Sequence, residues 1–313
     1  MSEQSGLTQR LTASGALFGA AFLWGSPIPI VGEMMERWDV FYLGIIRYGL
    51  ALPLMLVIAA ASLGWRWPPL RPEGISYFRL FLLGGVGIAS FAILYILALA
   101  YMDPAMAAVV AAMAPITSGV VALCFGERPS RGLLIAVALS VLGGGVAAWD
   151  FDAIGSPISF RGGEFIFLLA QVVWAWYSLA CRRYLPNSTA TVVTYATIVP
   201  GAITLCLLTL VIGAFGGLKP WPTTIPLADY GYIALLGFGG VALAILFWNV
   251  GVAGLGLTAS ALHMNLIPVV AISIAFLLGV EPRWEQLLGG TIVLAGVLQA
   301  QLSALRWRRI LVN

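Results

Sequence analysis

The sequence predicts an all-α integral membrane protein with ten transmembrane helices, arranged as two inverted-topology repeats of five. Three observations predict it: too little charge for a water-facing surface, regularly spaced apolar stretches, and a long-range internal repeat. Of 313 residues, 61% are hydrophobic and 9% charged. A soluble domain carries roughly 25% charged residues, so this chain cannot coat a surface of its size with polar groups. The mean hydropathy of +0.98 says the same. A lipid-facing surface removes the need for that coat. The net charge of +3 calls for no nucleic-acid partner. Cys124, Cys181 and Cys206 fall in or at the ends of apolar stretches and form no disulfide framework. The first apolar stretch contains Pro27 and Pro29 and reads as a retained span rather than a cleaved signal core.

A bilayer core of about 30 Å takes roughly 20 helical residues. On that ruler ten spans run at about 14–33, 40–63, 78–100, 104–125, 131–149, 163–182, 191–213, 229–252, 257–279 and 286–305. Breakers separate them: Trp67-Pro68-Pro69, Asp103-Pro104, Arg128-Pro129-Ser130, Gly155-Ser156-Pro157, Leu185-Pro186-Asn187, Lys219-Pro220-Trp221-Pro222 and Glu281-Pro282. Spans 3 and 4, and spans 8 and 9, have very short links and should form antiparallel hairpins. Trp38, Trp65, Trp67, Trp149, Trp221, Trp284 and Trp307 lie at span ends, where an interfacial belt belongs.

Orientation follows from the cations. With a cytoplasmic N-terminus, Arg10, Arg66, Arg71, Arg79, Arg128, Arg131, Arg182, Arg183, Arg306, Arg308 and Arg309 lie on the cytoplasmic side. Only Arg37, Arg161, Lys219 and Arg283 lie opposite, and Arg47 falls inside span 2. That bias places both termini, the tails 1–13 and 306–313, in the cytoplasm of a multi-pass plasma (inner) membrane protein.

The repeat sets the architecture. Residues 92–99, AILYILAL, match residues 244–251, AILFWNVG. Ala114-Pro115 matches Ile267-Pro268, Gly126-Glu127 matches Val280-Glu281, and Leu142-Gly143 matches Ala295-Gly296. Upstream, Trp24 matches Trp174, and Tyr48…Pro53 matches Tyr195…Pro200. The halves are therefore 14–149 and 163–305. Five spans is an odd number, so the second half enters from the other side. Inverted repeats of this kind characterise many secondary transporters, whose substrate site lies near the midplane where helices are broken. Pro115 and Pro268 fall near mid-span at equal depth, each freeing a backbone carbonyl, of Ala111 and Met264. Such carbonyls in hydrocarbon must face protein or a water-filled cavity.

The motifs resemble a known family. Leu23-Trp24-Gly25-Ser26, Ile46-Arg47-Tyr48, Leu94-Tyr95-Ile96-Leu97-Ala98-Leu99, Pro115, Gly126-Glu127-Arg128, Glu281-Pro282 and the Leu-Gly-Gly and Ala-Gly-Val patterns of spans 5 and 10 resemble the EamA-type branch of the drug/metabolite transporter superfamily. The resemblance covers about residues 14–305. It implies ten helices in two inverted repeats and export of small metabolites. Within that branch, Trp174-Ala175-Trp176-Tyr177 and Phe247-Trp248-Asn249-Val250-Gly251 look most like bacterial aromatic amino-acid exporters.

The candidate substrate-cavity residues are Trp24, Tyr95, Tyr101, Met113, Trp174, Tyr177, Trp248, Asn249, His263 and Asn265. Trp24 and Trp174 could stack on an apolar or aromatic substrate, or simply pack between helices. The others could line the cavity or act as interhelical glue. His263 and Asn265 are about 200° apart around one helix, so both cannot face one cavity. Arg47 is a charge inside a span, read either as an anchor for backbone carbonyls or as a clamp for a substrate carboxylate. Glu127 and Glu281 read as turn or capping residues. An intramembrane enzyme would need paired acids, a Ser/His pair or metal ligands, and the chain offers one histidine and no deep carboxylate. No cofactor and no metal site is expected. A channel would explain neither the repeat nor the midplane prolines. Nucleotide-sugar or drug-type transport is the alternative within the superfamily, but no cluster of intramembrane cations waits for a diphosphate. A monomer is the expected state. His263 is the only deep group able to titrate near neutrality, so downhill, facilitated export is expected.

Overall fold

The computed structural model describes residues 3–69, 71–101, 110–127, 131–148 and 162–312, and its described elements are all helical. The turns expected at Asp103-Pro104, Arg128-Pro129-Ser130 and Gly155-Ser156-Pro157, the start of span 4, Trp149 and Arg161 lie outside them. In chain order the helices are α1 Glu3–Gly25, α2 Ile28–Arg37, α3 Val40–Ser62, α4 Tyr77–Phe81, α5 Ser90–Ala100, α6 Ala114–Cys124, α7 Arg131–Ala148, α8 Gly163–Tyr184 and α9 Ala190–Ala214. They continue with α10 Leu227–Ala234, α11 Ala244–Leu255, α12 Leu257–Met264, α13 Leu266–Leu277 and α14 Trp284–Val312. Two π-helical stretches, π1 Leu82–Ala89 and π2 Leu235–Leu243, join α4 to α5 and α10 to α11.

The expected helical membrane class holds. Among the described residues seven helical segments are long and apolar enough to cross a bilayer: Gly6–Ile30, Val40–Ser62, Tyr77–Ala98, Gly163–Tyr184, Ala190–Ala214, Leu227–Leu255 and Leu257–Leu277. Ala114–Cys124 and Arg131–Ala147 are shorter apolar helices. Caps start several of them. Asp39 accepts from Phe41 N at 2.8 Å ahead of α3. Thr189 accepts from Val192 N ahead of α9, and each such cap satisfies one orphan helix donor.

Three details differ from expectation. Span 1 is not one continuous helix from 14 to 33. It begins at Glu3, stops at Gly25, and resumes as α2 at Ile28, because Pro27 and Pro29 lack the donors a continuous helix needs. Spans 4 and 9 break at Met113 and Asn265, two and three residues before their prolines, so each proline opens a new helix where no donor is required. Spans 3 and 8 carry the π stretches, a departure that apolar periodicity cannot show.

Packing pairs the two halves helix by helix. Helices α7 and α14 run antiparallel in intimate contact: Gly289 sits against Ala147, Gly143 against Gly289 and Val293, and Gly296 against Ala136 and Ser140. Helix α1 runs antiparallel to α11, with Gly19 at Phe247, Leu17 at Gly251 and Ala13 at Gly254. Helix α5 does the same with α8, with Phe91 on Trp174, Tyr95 on Phe167 and Tyr101 at Gly163. In π2, Gly237 lies against Leu50 and the Arg47 carbonyl of α3; in π1, Gly84 lies against Thr197 and Pro200 of α9. Small residues at crossings let backbones meet without the hydrophobic drive that lipid removes.

Two ion pairs also join the halves. Asp229, buried at the start of α10, accepts from Arg37 Nη2 and Trp38 Nε1, each at 2.8 Å. Arg182 at the end of α8 bonds Glu127 at 2.8 Å, with both side chains more than a third exposed. Glu127, in the turn that follows α6 as the sequence suggested, is also an ion-pair partner.

Candidate functional site

The aromatic side chains of the first and second halves meet in the middle of the bundle. Trp24, the last residue but one of α1, reaches across to π2, where its Nε1 donates to the Gly240 carbonyl at 2.8 Å. That bond holds the indole edge and leaves its faces to neighbours. Trp174 of α8 stands edge-on to it with ring centroids 6.0 Å apart, and Trp248 of α11 lies 6.2 Å from Trp24 and 5.8 Å from Trp174. These separations suit offset aromatic pairs, each worth about 0.5–1.5 kcal/mol beyond its buried area. Phe91 continues the group, 4.8 Å from Trp174 and 5.9 Å from Tyr95. Trp24, Trp174 and Phe91 are half-buried, and Tyr95 is 36% exposed.

Arg47 of α3 is the charge beside this group. A Cβ built on Gly240 would stand 4.0 Å from Arg47 Nη2, so the guanidinium and the Trp24 indole flank the same glycine. Arg47 Nε is buried and has no hydrogen-bond partner, and no carboxylate among the described residues pairs with it.

The remaining predicted residues divide. Tyr177, Trp248 and Asn249 are inward but committed to protein partners. Trp248 Nε1 donates to Ser178 Oγ at 2.9 Å. Asn249 Nδ2 donates to Thr194 Oγ1 at 2.9 Å and to Tyr177 OH at 3.4 Å, and Tyr177 OH pairs with Thr197 Oγ1 at 3.0 Å. All three side chains are buried. His263 is 1% exposed; its Nδ1 bonds the Ala259 carbonyl at 2.9 Å, its ring meets Phe18 edge-on at 5.6 Å, and Nε2 has no partner.

Asn265 occupies the break between α12 and α13, and its amide donates to the carbonyls of Ala112 at 3.3 Å and Ser140 at 3.2 Å. It therefore links one helix break to the other. Met113 lies at the opposite break, where its carbonyl accepts from Thr117 Oγ1, itself bonded to Gln171. Gln171 Nε2 in turn donates to the Val110 carbonyl at 2.7 Å. Pro115 is buried and Pro268 half-buried just beyond these breaks. Tyr101 is 57% exposed at the end of α5, apart from the aromatic group. None of the predicted residues lines the crevice of about 250 Å³ between α1, α9 and α11, whose walls include Gln9, Thr12 and Ala190.

Sequence reasoning missed Phe91, Gly240, Gln171 and the Thr194–Thr197 pair. One signal was available for Gly240: Leu82-Leu83-Gly84 recurs as Leu235-Leu236-Gly237, marking both glycine-rich π stretches. It also missed burial at helix starts. Glu164 and Glu285, in the first turns of α8 and α14, are 3% and 0% exposed.

The chain is similar to several known proteins. The chain is 28% identical to the uncharacterized transporter YyaM of Bacillus subtilis, over 81% of this chain and 82% of that protein. It is 27% identical to a probable terminal-alkyne amino-acid exporter of Streptantibioticus cattleyicolor, over 94% of this chain and 95% of the other. A solved crystal structure shares its fold with a TM-score of 0.74 at 22% identity, covering 95% of this chain and 99% of that one. The EamA-like transporter family matches twice, over residues 12–147 and 161–300. The chain is therefore a multi-pass membrane transporter, not an enzyme, and it belongs to the EamA-like transporter family.

Proposed function

We propose that the protein exports amino acids with large apolar or aromatic side chains, such as Phe, Trp, Tyr and Met. The mechanism is alternating access between two inverted five-helix halves, residues 14–149 and 163–305. The observation that carries the substrate reading is the Trp24, Trp174 and Trp248 group beside an unpartnered Arg47. The indole faces of Trp24 and Trp174 accept an apolar side chain, and Arg47 accepts the carboxylate as a two-pronged donor. Trp248, Tyr177 and Asn249 back this wall through their own hydrogen bonds. The 27% identity to a probable amino-acid exporter supports the same class.

The architecture is supported by paired contacts. Helices α7 and α14 cross antiparallel about the matched residues Gly143 and Gly296, and Asn265 bonds the carbonyl of Ala112, its counterpart in the other half. A two-fold relation between halves makes equivalent positions meet at its axis. Rocking of one bundle against the other about that axis would expose the site to each side in turn.

The test is counterflow of labelled L-phenylalanine, L-tryptophan and L-methionine in liposomes carrying the purified protein. Trp24→Ala and Trp174→Ala should each lower exchange about tenfold while folded yield is kept. Normal exchange in both variants would remove the stacking site, and no exchange of any of the three solutes would remove the substrate class.

A further inference from the structure

We infer that the site recognises its substrate through the carboxylate alone, so that the amino group is dispensable and apolar monocarboxylates are ligands as good as amino acids or better. This rests on the site proposed above and concerns which of the two charged groups the protein reads. Arg47 brings one positive charge into the bundle, with Nε buried and unpartnered. The described carboxylates are engaged or placed elsewhere: Glu36, Glu73 and Glu281 are exposed. Asp39 takes Phe41 N and Lys219 N, and Asp229 takes Arg37 and Trp38. Glu127 takes Arg182, and Glu164 takes Gly162 N. Glu285 is buried in the first turn of α14, a helix that packs on α7 and α13 rather than on α3. None pairs with Arg47 or stands as a counter-ion beside the aromatic group.

The consequence is electrostatic. A lone guanidinium inside a span costs at least a few kcal/mol. An anion that pairs with it removes much of that cost and can do so through two parallel hydrogen bonds. A zwitterion brings the same carboxylate but also an ammonium, which must be desolvated with no carboxylate among the described residues to receive it. The indole faces of Trp24 and Trp174 offer only a cation–π contact in exchange. An amine without a carboxylate is worst placed, because it sets a second cation beside Arg47. The expected affinity order for one side chain is 3-phenylpropanoate equal to or tighter than L-phenylalanine, with 2-phenylethylamine weaker by about tenfold or more.

The experiment is competition by these three compounds against L-phenylalanine counterflow in liposomes. It is paired with the thermal shift that each produces in the purified protein, since a ligand of the folded state raises Tm. The expected result is strong competition and a raised Tm for 3-phenylpropanoate and little of either for 2-phenylethylamine. In Arg47→Gln, the advantage of the acid over the amine should fall by about tenfold or more. Equal or better competition by 2-phenylethylamine would overturn the inference while leaving amino-acid exchange standing. If L-phenylalanine does not exchange at all, the amino-acid reading fails. The carboxylate inference then stands or falls on whether 3-phenylpropanoate raises Tm in the wild-type protein. Should Arg47→Gln fail to fold, the order of the three compounds on the wild-type protein decides.

Discussion

Replacing Gly143 by alanine tests the packing that joins the two halves. A Cβ at Gly143 would stand 2.7 Å from both the Gly289 carbonyl oxygen and the Val293 nitrogen, and 2.9 Å from Ile292 Cβ. Ordinary contact begins near 3.4 Å, so α7 and α14 would have to part by about 0.7 Å along this stretch. The obstructing atoms are mostly backbone, which a rotamer change cannot move. Overpacking of this kind costs about 1–3 kcal/mol. Alanine also gains up to about 1 kcal/mol of helix propensity over glycine, which blurs the absolute effect. Gly145, two residues on in the same helix, supplies the control: a Cβ there meets nothing within 4 Å. Gly145→Ala gains the same propensity without the clash, so the difference between the variants isolates the crossing.

Thermal unfolding of the two purified variants in one detergent, at one scan rate, measures that difference. Gly143→Ala should melt several degrees below Gly145→Ala, given a few degrees per kcal/mol for chains of this order of size. A Gly143→Ala protein that melts at or above Gly145→Ala would refute the close crossing of α7 and α14.

Asn265→Leu strips two donors from the carbonyls of Ala112 and Ser140 and should cost about 1–3 kcal/mol in the same melting assay, with Asn265→Asp worse because a carboxylate only accepts. An unchanged melt for both would show that the two helix breaks are not tied. Asp229→Ala should cost about 2–4 kcal/mol, since it leaves Trp38 Nε1 and a partly exposed Arg37 facing a buried gap. Glu127→Ala should cost at most about 1 kcal/mol, because that pair is solvated; equal losses would contradict the burial difference. A reporter active only outside the cell, fused after Asn313, should stay silent, and activity there would reverse the expected orientation. His263→Gln should flatten whatever modest pH dependence exchange shows, and strong uptake driven by a pH gradient in that variant would reveal a proton site elsewhere.

Much of the fold was legible because membrane spans announce themselves by length and apolarity. The interruptions of spans 4 and 9 were legible too, through Pro115 and Pro268, although the breaks fall two and three residues upstream; that at Pro27 and Pro29 was not, since Pro53 and Pro200 sit inside unbroken helices. The π stretches were not, because a π turn leaves apolar composition unchanged; only the recurring Leu-Leu-Gly hinted at them. Within the site, Trp24, Trp174, Trp248 and Tyr95 could be found because tryptophan and tyrosine away from the interface are conspicuous in an apolar span. Phe91 could not, since a phenylalanine in a span carries no such signal. Whether a polar residue faces a cavity or a neighbouring helix depends on a rotation of the helix that spacing leaves open. That is why Asn249 and Asn265 looked alike in sequence, while one bonds side chains of α8 and α9 and the other bonds two backbone carbonyls.

On the proposed inverted-repeat reading the two halves correspond in sequence but differ in charge, and that difference would give the proposed site a direction. On the inverted-repeat reading, the matched tyrosines Tyr48 and Tyr195 align Arg47 of α3 with Thr194 of α9. Both tyrosines are buried; Arg47 faces the π stretch of the opposite half, whereas Thr194 bonds Asn249 and Ala190 of its own half. Yet Arg47 is unpartnered, whereas the Thr194 hydroxyl is closed into bonds with Asn249 and the Ala190 carbonyl. One side of the aromatic group therefore offers a free cation and the other a satisfied, neutral network. On the proposed function, a solute with one carboxylate would have a single favourable orientation, carboxylate toward α3 and apolar body across Trp24 and Trp174, and rocking of the halves would carry that asymmetrically held solute past two unlike walls.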